Sequence, residues 1–234
     1  MAIADMRREF EAGGIDRADM DADPLRQFQV WFDAAAATSG GRFRKFCVDI
    51  FKAFAALFGA KSIEANAMSL ATVGGDGQPS VRTVLLKGVD SRGFVFYTNY
   101  SSRKGREISE NPSAALVFYW PEMERQVCVA GEVSQISREE SEAYFRTRPR
   151  ASRIGAWASD QSAVVSGRGE LEEKFREIEK RFAGKEIPIP PNWGGYLLKP
   201  ARIEFWQGRA SRMHDRICYT RDEKGQWRVE RLSP

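Results

Sequence analysis

The amino-acid sequence predicts a mainly β fold, an antiparallel sheet or barrel with flanking helices. Three observations predict it. From Ala67 onward, short stretches rich in Val, Leu, Phe and Tyr follow one another at the spacing of serial β-strands. The segments GGDGQ and VDSRG between them have the composition of hairpin turns. Patterns with a helical period dominate the residues before Ala67 and interrupt the strands at few later places.

Residues 1–66 are predicted to form an N-terminal helical segment, and residues 67–234 the sheet domain. The stretch DADPLRQFQVWFDAAAA starts a helix in which Asp23 is the cap and Pro24 occupies the first turn. A second, amphipathic helix is predicted at about 41–60. Its apolar side carries Phe43, Phe46, Cys47, Ile50, Phe51, Phe54, Leu57 and Phe58. We expect this side to pack on the barrel or across a dimer; docking on a membrane or another protein is the less favoured alternative.

Eight strands are predicted after residue 66. They comprise AMSLATV, SVRTVLLK, GFVFYTN, SAALVFYW, RQVCVAGEVSQI, two regions around Leu197–Trp206 and Arg212–Tyr219, and QWRVERL. Helices are predicted at Ser137–Thr147 and Glu170–Phe182, and the Pro-rich PIPPNWGG is read as a connector.

Composition narrows the class of protein. The chain is 42% hydrophobic and 29% charged, which favours a folded domain over disorder. The net charge is +4 without a block of basic residues, so nucleic-acid binding is disfavoured. Three separated cysteines and one histidine make a disulfide framework or a transition-metal site improbable. No apolar run approaches the roughly 18 residues that span a bilayer, and the N-terminus does not resemble a signal peptide. We therefore expect a cytoplasmic protein without a metal.

A helix that starts after Ser101 or Ser102 and ends before Pro112 carries three cations in its first turn, Arg103, Lys104 and Arg106. Cations at this end oppose the helix dipole, and a bound anion such as phosphate would reverse the penalty. Solvated side chains that tolerate a small cost are an equally weighted alternative.

The chain's one histidine lies in RASRMHDRICY. If this stretch is a strand, Arg212, His214 and Arg216 share one face, and Asp215 lies on the other. That alternation disfavours a Ser–His–Asp triad. It indicates a site for an anion or an electron-rich ring, although a solvated edge strand is slightly favoured on this stretch alone.

Two further groups of polar residues remain open from spacing alone. Arg82 and Lys87 face opposite sides of a regular strand. Tyr144, Arg148 and Ser152 are spaced by four, but Pro149 disfavours helix at Arg148, so only a turn would let them converge.

Taken in order, the motifs resemble the pyridoxamine 5′-phosphate oxidase family. They are RTVLLK, FYTN followed by SRK, ERQV, YFRTRPRAS, IGAW followed by QS, IEFWQG followed by RMHDR, and WRVERLSP. The likeness covers about Glu64 to Pro234 and recurs in RREFEAGG and DADPL. It implies an antiparallel, Greek-key-like split β-barrel that binds FMN at a homodimer interface. It also implies oxidation of pyridoxine or pyridoxamine 5′-phosphate to pyridoxal 5′-phosphate, with O2 reduced to hydrogen peroxide.

The resemblance assigns roles residue by residue. Arg82, Arg103 and Lys104 look like holders of the FMN phosphate. The other implied FMN contacts are Thr83, Val84, Leu85, Leu86, Lys87, Tyr97, Thr98, Gln126, Gln161, Ser162, Trp206 and Arg216. The implied substrate contacts are Lys87, Tyr144, Arg148 and Ser152 on the phosphate, Arg212 and His214 as catalytic residues on the pyridine ring, and Arg7 and Arg8.

The sequence differs from the family pattern in two places, and two alternative functions remain open. Phe10 stands where the family often has tyrosine in a segment that can cover the substrate. Residues 40–61 make the connection between the first helix and the first barrel strand longer than is usual in the family.

A phenazine-pathway oxidase on the same barrel is one alternative function, which the complete set Lys87, Tyr144, Arg148 and Ser152 disfavours. A non-catalytic flavin- or pyridoxal-phosphate-binding protein is the other.

Overall fold

The computed structural model of the protein describes residues 3–5, 9–38 and 64–234. The predicted helix at 41–60 lies outside these residues, as do Arg7 and Arg8. The division into residues 1–66 and 67–234 stays a prediction.

The described residues form one nine-stranded antiparallel sheet, which confirms the mainly β fold class. The strands are β1 Ala67–Val73, β2 Pro79–Leu85, β3 Gly88–Asp90, β4 Gly93–Asn99, β5 Ser113–Trp120, β6 Arg125–Gln135, β7 Trp193–Gln207, β8 Asp215–Arg221 and β9 Trp227–Leu232. Their order is β2-β1-β5-β6-β7-β4-β3, and β8 pairs with both β7 and β9. The long strand β7 therefore has β4 beside its first half and β8 beside its second half.

Five α-helices flank the sheet in the part of the chain that the structure describes. They are α1 Pro24–Ala36, α2 Arg103–Glu110, α3 Arg138–Thr147, α4 Arg150–Ala158 and α5 Arg168–Arg181. The predicted cap of α1 is confirmed, since the Asp23 carboxylate accepts a hydrogen bond from the Leu25 backbone at 2.9 Å. Ser102 and Ser137 cap α2 and α3 in the same way.

The predicted strand boundaries near the C-terminus are wrong in two places. β7 begins at Trp193, four residues before the predicted Leu197, so the end of PIPPNWGG is strand rather than connector. β8 begins at Asp215 and not at Arg212. Residues 210–212 form a 3-10 turn in which Ser211 and Arg212 have φ values of 54° and 60°. Because a strand needs negative φ, this left-handed turn delays it.

Aromatic side chains fill the interior of the curled sheet. Phe94, Phe118 and Phe205 are fully buried there. Helix α1 covers one end, where the Phe28 ring lies 4.9 Å from Phe94 and 4.8 Å from Phe118. Each such burial contributes roughly 1.5–3 kcal/mol. A second, smaller core lies under α3, α4 and α5 and contains Phe145, Ile154, Phe182, Ile187, Ile189 and Trp193. Of the helices in the described residues, none has the length and apolarity to cross a membrane.

Candidate functional site

The first turn of α2 brings cationic side chains to one place, as its sequence predicts. We call Arg82, Arg103 and Lys104 with the carboxylate of Glu107 the cation cluster. The cap oxygen of Ser102 orders the backbone at this helix end, where it accepts from Gly105 N. The Arg103 backbone N–H donates to Ser162 Oγ at 3.2 Å. Arg106, the third predicted cation, turns back to the Ser101 carbonyl at 2.5 Å and stands outside the cluster.

Among the described residues, the hydrogen-bond partners of the buried cation Lys104 are all neutral. Its side chain is 8% exposed. Nζ donates to Gln161 Oε1 at 2.8 Å, to Thr98 Oγ1 at 3.2 Å and to Ser102 Oγ at 3.3 Å. Burial, and then the nearby charge of Arg82, lower the pKa of Lys104 to about 8. A buried ammonium that no described carboxylate contacts is suited to receive an anion.

Glu107 accepts hydrogen bonds on both carboxylate oxygens. Oε1 accepts from Arg103 Nε at 2.8 Å, and Oε2 accepts from Arg82 Nη2 at 3.1 Å. The Thr72 and Ser80 hydroxyls donate to Oε2 at 2.5 Å each. Burial raises the pKa of Glu107, but these hydrogen bonds outweigh it and hold the pKa at about 2. The carboxylate is therefore a fixed negative charge.

The cation cluster carries a net charge that matches a phosphate monoester. Three cations and one carboxylate give +3 − 1 = +2. A phosphate monoester carries about −1.5 to −2 at neutral pH.

A cavity beside the cation cluster holds a guanidinium nitrogen without a hydrogen-bond partner. We call it the Arg148 cavity. Its volume is about 290 Å³, and Arg148, Ser152, Gln161 and Trp193 are among its lining residues. Nη1 of Arg148 is buried, and no described atom pairs with it. Burial also lowers the pKa of Arg148. A buried guanidinium nitrogen without a partner, in a cavity that a serine also lines, can bind an anionic group.

The local chain path explains why Arg148 and Ser152 meet. Helix α3 ends at Thr147, Arg148 is extended with ψ 144°, and α4 begins at Arg150. Pro149 forces this break, and the resulting turn lets the two side chains converge. Of the neighbouring rings, Trp193 lines the cavity. Tyr97 stacks on Trp193 at 5.5 Å and on Tyr144 at 3.9 Å, so Tyr144 lies behind the lining residues.

A second group of predicted residues lies at the other end of β7. We call Trp206 and His214, with Gln126 and Arg216, the His214 cluster. In the sheet, Trp206 stands opposite Gln126 on β6 and opposite Arg216 on β8. The His214 ring lies 4.6 Å from the Trp206 ring. Nδ1 of His214 accepts from Arg209 N at 3.1 Å, so Nε2 carries the ring proton when the imidazole is neutral.

The predicted shared strand face of Arg212, His214 and Arg216 is wrong, because only Arg216 lies in β8. Arg212 is exposed on the left-handed turn before it. Asp215 accepts from Ile15 N at 3.1 Å and from Arg231 Nη1 at 2.5 Å. It is therefore engaged away from the imidazole.

The N-terminal segment covers the His214 cluster. Phe10 meets the rings of His214 and Trp206 edge-on, at 5.3 Å and 5.6 Å. The carboxylate of Glu124 fixes this segment, since Oε2 accepts from Glu11 N and Ala12 N at 3.0 Å each.

The sequence did not predict three carboxylates that fix these clusters by hydrogen bonds. They are Glu107 in the cation cluster, Glu124 below the N-terminal segment and Glu204 beside Arg216. Glu204 is buried and accepts from Arg216 Nε at 2.7 Å. Only Glu107 carries a sequence signal, because it follows Arg103 by four positions on a helix.

The remaining predicted residues lie along β2, β4 and the turn after β2. Thr83 and Lys87 are exposed, Val84 and Leu85 are half-buried, and Leu86 is buried. Val84 packs against the main core. Thr98 lies beside the cation cluster, where its hydroxyl accepts from Lys104 Nζ and donates to Gln161 Oε1 at 2.9 Å.

One chain presents two half-sites and not a single site. The cation cluster and the Arg148 cavity are neighbours, because Gln161 belongs to both. The His214 cluster lies elsewhere: Tyr97 pairs with Gly195 near the start of β7, whereas Trp206 is eleven residues further along. That is about 36 Å of strand. Among the described residues, no hydrogen bond, ion pair or ring contact links the two half-sites.

Two family models and the relatives with similar sequences carry the same family description. The model of the family described as pyridoxamine 5′-phosphate oxidase matches residues 53–182. A second model, described as the pyridoxine 5′-phosphate oxidase C-terminal dimerisation region, matches residues 193–234. Relatives named pyridoxine/pyridoxamine 5′-phosphate oxidase include one from Paraburkholderia phytofirmans, 51% identical over 100% of this chain and 99% of its own. Another, from Rubrobacter xylanophilus, is 51% identical over 99% of this chain and 96% of its own.

Solved structures agree on the fold. PhzG from Burkholderia lata, in complex with tetrahydrophenazine-1-carboxylic acid, has a TM-score of 0.77 at 27% identity and covers 95% of this chain and 99% of its own. A pyridoxamine 5′-phosphate oxidase-related, FMN-binding protein from Nostoc punctiforme has a TM-score of 0.64 at 20% identity, over 92% and 100% of the two chains. The predicted split barrel is thereby confirmed.

Proposed function

The chain belongs to the pyridoxamine 5′-phosphate oxidase family, and we propose that two protomers of a homodimer share its reaction between the half-sites described above. It is an FMN-dependent enzyme that oxidises pyridoxine or pyridoxamine 5′-phosphate to pyridoxal 5′-phosphate. The expected acceptor of the electrons is O2, which is reduced to hydrogen peroxide. A cytoplasmic location is also proposed, and it rests on the enzyme family alone.

The cation cluster is assigned to the phosphate of FMN. The supporting observation is that buried Lys104 has only neutral hydrogen-bond partners among the described residues, in a cluster with net charge +2. Ser162 and Thr98, which contact Arg103 and Lys104, fit the edge of the same site. FMN held here would supply the acceptor for a hydride from the substrate.

The Arg148 cavity is assigned to the substrate phosphate, and this assignment carries the functional proposal. A buried Arg148 Nη1 without a partner fits a phosphate oxygen, and Ser152 lines the same cavity. Tyr144 stacks on Tyr97 beside the cavity, and Lys87 is exposed on the turn after β2. The convergence of Arg148 with Ser152 favours a phosphorylated substrate over a phenazine.

The His214 cluster is assigned to the rings of flavin and substrate. Gln126, Trp206 and Arg216 would contact the flavin, and Arg212 and His214 the pyridine ring. The imidazole, held through Nδ1 by Arg209 N, can donate a hydrogen bond from Nε2. Phe10 reduces the access of water to this cluster. Because the half-sites are far apart in one chain, each active site would take its His214 cluster from the partner subunit. The roles of Arg7 and Arg8 stay predictions.

The direct test adds pyridoxine 5′-phosphate in air to the purified, FMN-loaded protein. We expect O2 uptake and the absorbance of pyridoxal 5′-phosphate, and a far weaker reaction with unphosphorylated pyridoxine. Binding of both compounds without O2 uptake would instead support a non-catalytic binding protein.

A further inference from the structure

We propose that Glu107 is a positioning residue for the FMN phosphate: it holds the guanidinium groups of Arg82 and Arg103 so that their remaining N–H groups are available to the phosphate. This inference rests on the proposed role of the cation cluster. Glu107 differs from the residues assigned so far because it is an anion, so it does not itself bind phosphate.

The carboxylate of Glu107 accepts hydrogen bonds from four side chains. Its side chain is 10% exposed. Two hydroxyl donors reach it from adjacent strands, Thr72 on β1 and Ser80 on β2. Arg82 reaches it from β2 and Arg103 from its own helix. A side chain fixed by donors from three elements can fix the orientation of others.

Arg82 and Arg103 differ in how many of their side-chain N–H groups already donate hydrogen bonds within the protein. Nη1 of Arg82 donates to Leu70 O at 3.3 Å and to Thr72 Oγ1, and Nη2 donates to Ser80 and Glu107. Of its five N–H groups, the one on Nε is left without a partner among the described residues. Arg82 is thus chiefly a fixed positive charge.

Arg103 has the opposite arrangement. Its described side-chain hydrogen bond is the one from Nε to Glu107 Oε1, which leaves the four N–H groups of Nη1 and Nη2. The side chain is 60% exposed, so without this bond it would sample many rotamers. By holding Nε, Glu107 reduces the entropy that Arg103 loses when it binds an anion.

The charge of Glu107 has a second effect, which stabilises the FMN-free chain and not the bound phosphate. Arg82, Arg103 and Lys104 repel one another, and a central carboxylate offsets part of that repulsion. Because the pKa of Glu107 is about 2, its carboxylate stays ionised at neutral pH and well below it. It therefore acts as a permanent support and not as a pH switch.

The test measures the dissociation constants of FMN and riboflavin, which lacks the phosphate, by quenching of flavin fluorescence in FMN-free dimer. Glu107→Gln should weaken FMN binding about tenfold and riboflavin binding less than about twofold. The matched control is Glu110→Gln on the same helix, whose carboxylate accepts from Gly75 N and does not contact the cluster. It should change neither constant.

A double-mutant cycle separates positioning from general support of the fold. In an Arg103→Ala background, Glu107→Gln should weaken FMN binding by clearly less than the tenfold expected in the unaltered background, because one of the two arginines it orients is gone. Should Glu107→Gln fail to fold, Glu107→Asp keeps the charge but shortens the reach to Arg103 Nε, and the same FMN-specific loss is expected.

Several outcomes overturn the inference. Equal weakening of FMN and riboflavin would make Glu107 a structural residue. Tighter FMN binding would mean that its charge merely repels phosphate. Additive effects in the cycle would mean that it acts independently of Arg103. If the unaltered protein bound FMN no more tightly than riboflavin, the proposed phosphate role of the whole cluster would be wrong, and the role of Glu107 with it.

Discussion

Nζ of Lys104 lies 2.8 Å from Oε1 of Gln161, a contact that joins the first turn of α2 to the segment after α4. It ties the cation cluster to the Arg148 cavity, and both are assigned to phosphate groups. The buried ammonium is the part of this arrangement that pH can alter.

We predict that the stabilisation conferred by FMN decreases as the pH rises above about 8. The pKa of Lys104 is lowered from 10.5 to about 8 in the FMN-free fold. Between these values the unfolded chain binds more protons, so this group makes the free energy of unfolding of FMN-free protein rise with pH. Phosphate favours the charged lysine, so the gain from FMN shrinks over the same range. The difference in Tm with and without FMN, measured at pH 7 and 9.5, checks this.

Lys104→Met should remove most of that pH dependence, and the exposed Lys199→Met should leave it intact. An FMN-induced Tm shift that stays constant from pH 7 to 9.5 in the unaltered protein would refute the role of Lys104.

Arg148→Ala should raise KM for pyridoxine 5′-phosphate by roughly 10- to 100-fold, because a charged hydrogen bond contributes about 1.5–3 kcal/mol. Its FMN content should be unchanged. Steady-state kinetics of the FMN-loaded enzyme measure this, with the exposed neighbour Arg146→Ala as control. A KM within twofold of the unaltered enzyme would exclude Arg148 from the substrate phosphate site.

Arg212→Ala should lower turnover more than it lowers FMN content, whereas Arg216→Ala should lower both. Arg212 is exposed on the turn before β8, and Arg216 is held in the sheet by Glu204. Bound flavin per protomer and kcat, measured on the same preparations, distinguish the two roles. Equal flavin loss in both variants would contradict the assignment.

Phe51→Asp tests the amphipathic helix that the sequence predicts at about 41–60. If its apolar side packs on the barrel or across the dimer, the substitution should lower Tm or weaken dimerisation. Normal melting and dimerisation, together with lost binding to liposomes or a protein partner, would favour the docking alternative.

The sequence predicted those features that depend on neighbouring residues. Ser102 as a cap, the cations of the first turn of α2 and the strands β1, β2, β4 and β5 follow from local patterns, whereas the short strand β3 overlaps the predicted turn VDSRG. The turn that breaks the chain at Arg148 also follows, because Pro149 restricts its neighbour.

Features that depend on tertiary contacts were not predictable in this way. The 3-10 turn at 210–212 contains no glycine, so nothing in its sequence indicates positive φ at Ser211 and Arg212. Glu107 meets Thr72 and Ser80 only after β1 and β2 pair and α2 packs beside them. The separation of the half-sites along β7 likewise requires the sheet order.

The most direct test of the shared active site is complementation between two impaired variants, Arg148→Ala and Arg212→Ala, assayed at a substrate concentration far below the raised KM of Arg148→Ala, where each variant alone has little activity. Mixed dimers are formed by co-refolding equal amounts, and oxidation of pyridoxine 5′-phosphate is measured. If each site combines the Arg148 cavity of one protomer with the His214 cluster of its partner, a mixed dimer has one intact site. Since half of the dimers are mixed, activity should recover to about a quarter of that of the unaltered enzyme. No recovery, with mixed dimers demonstrated, would mean that each site lies within one chain and would contradict the account.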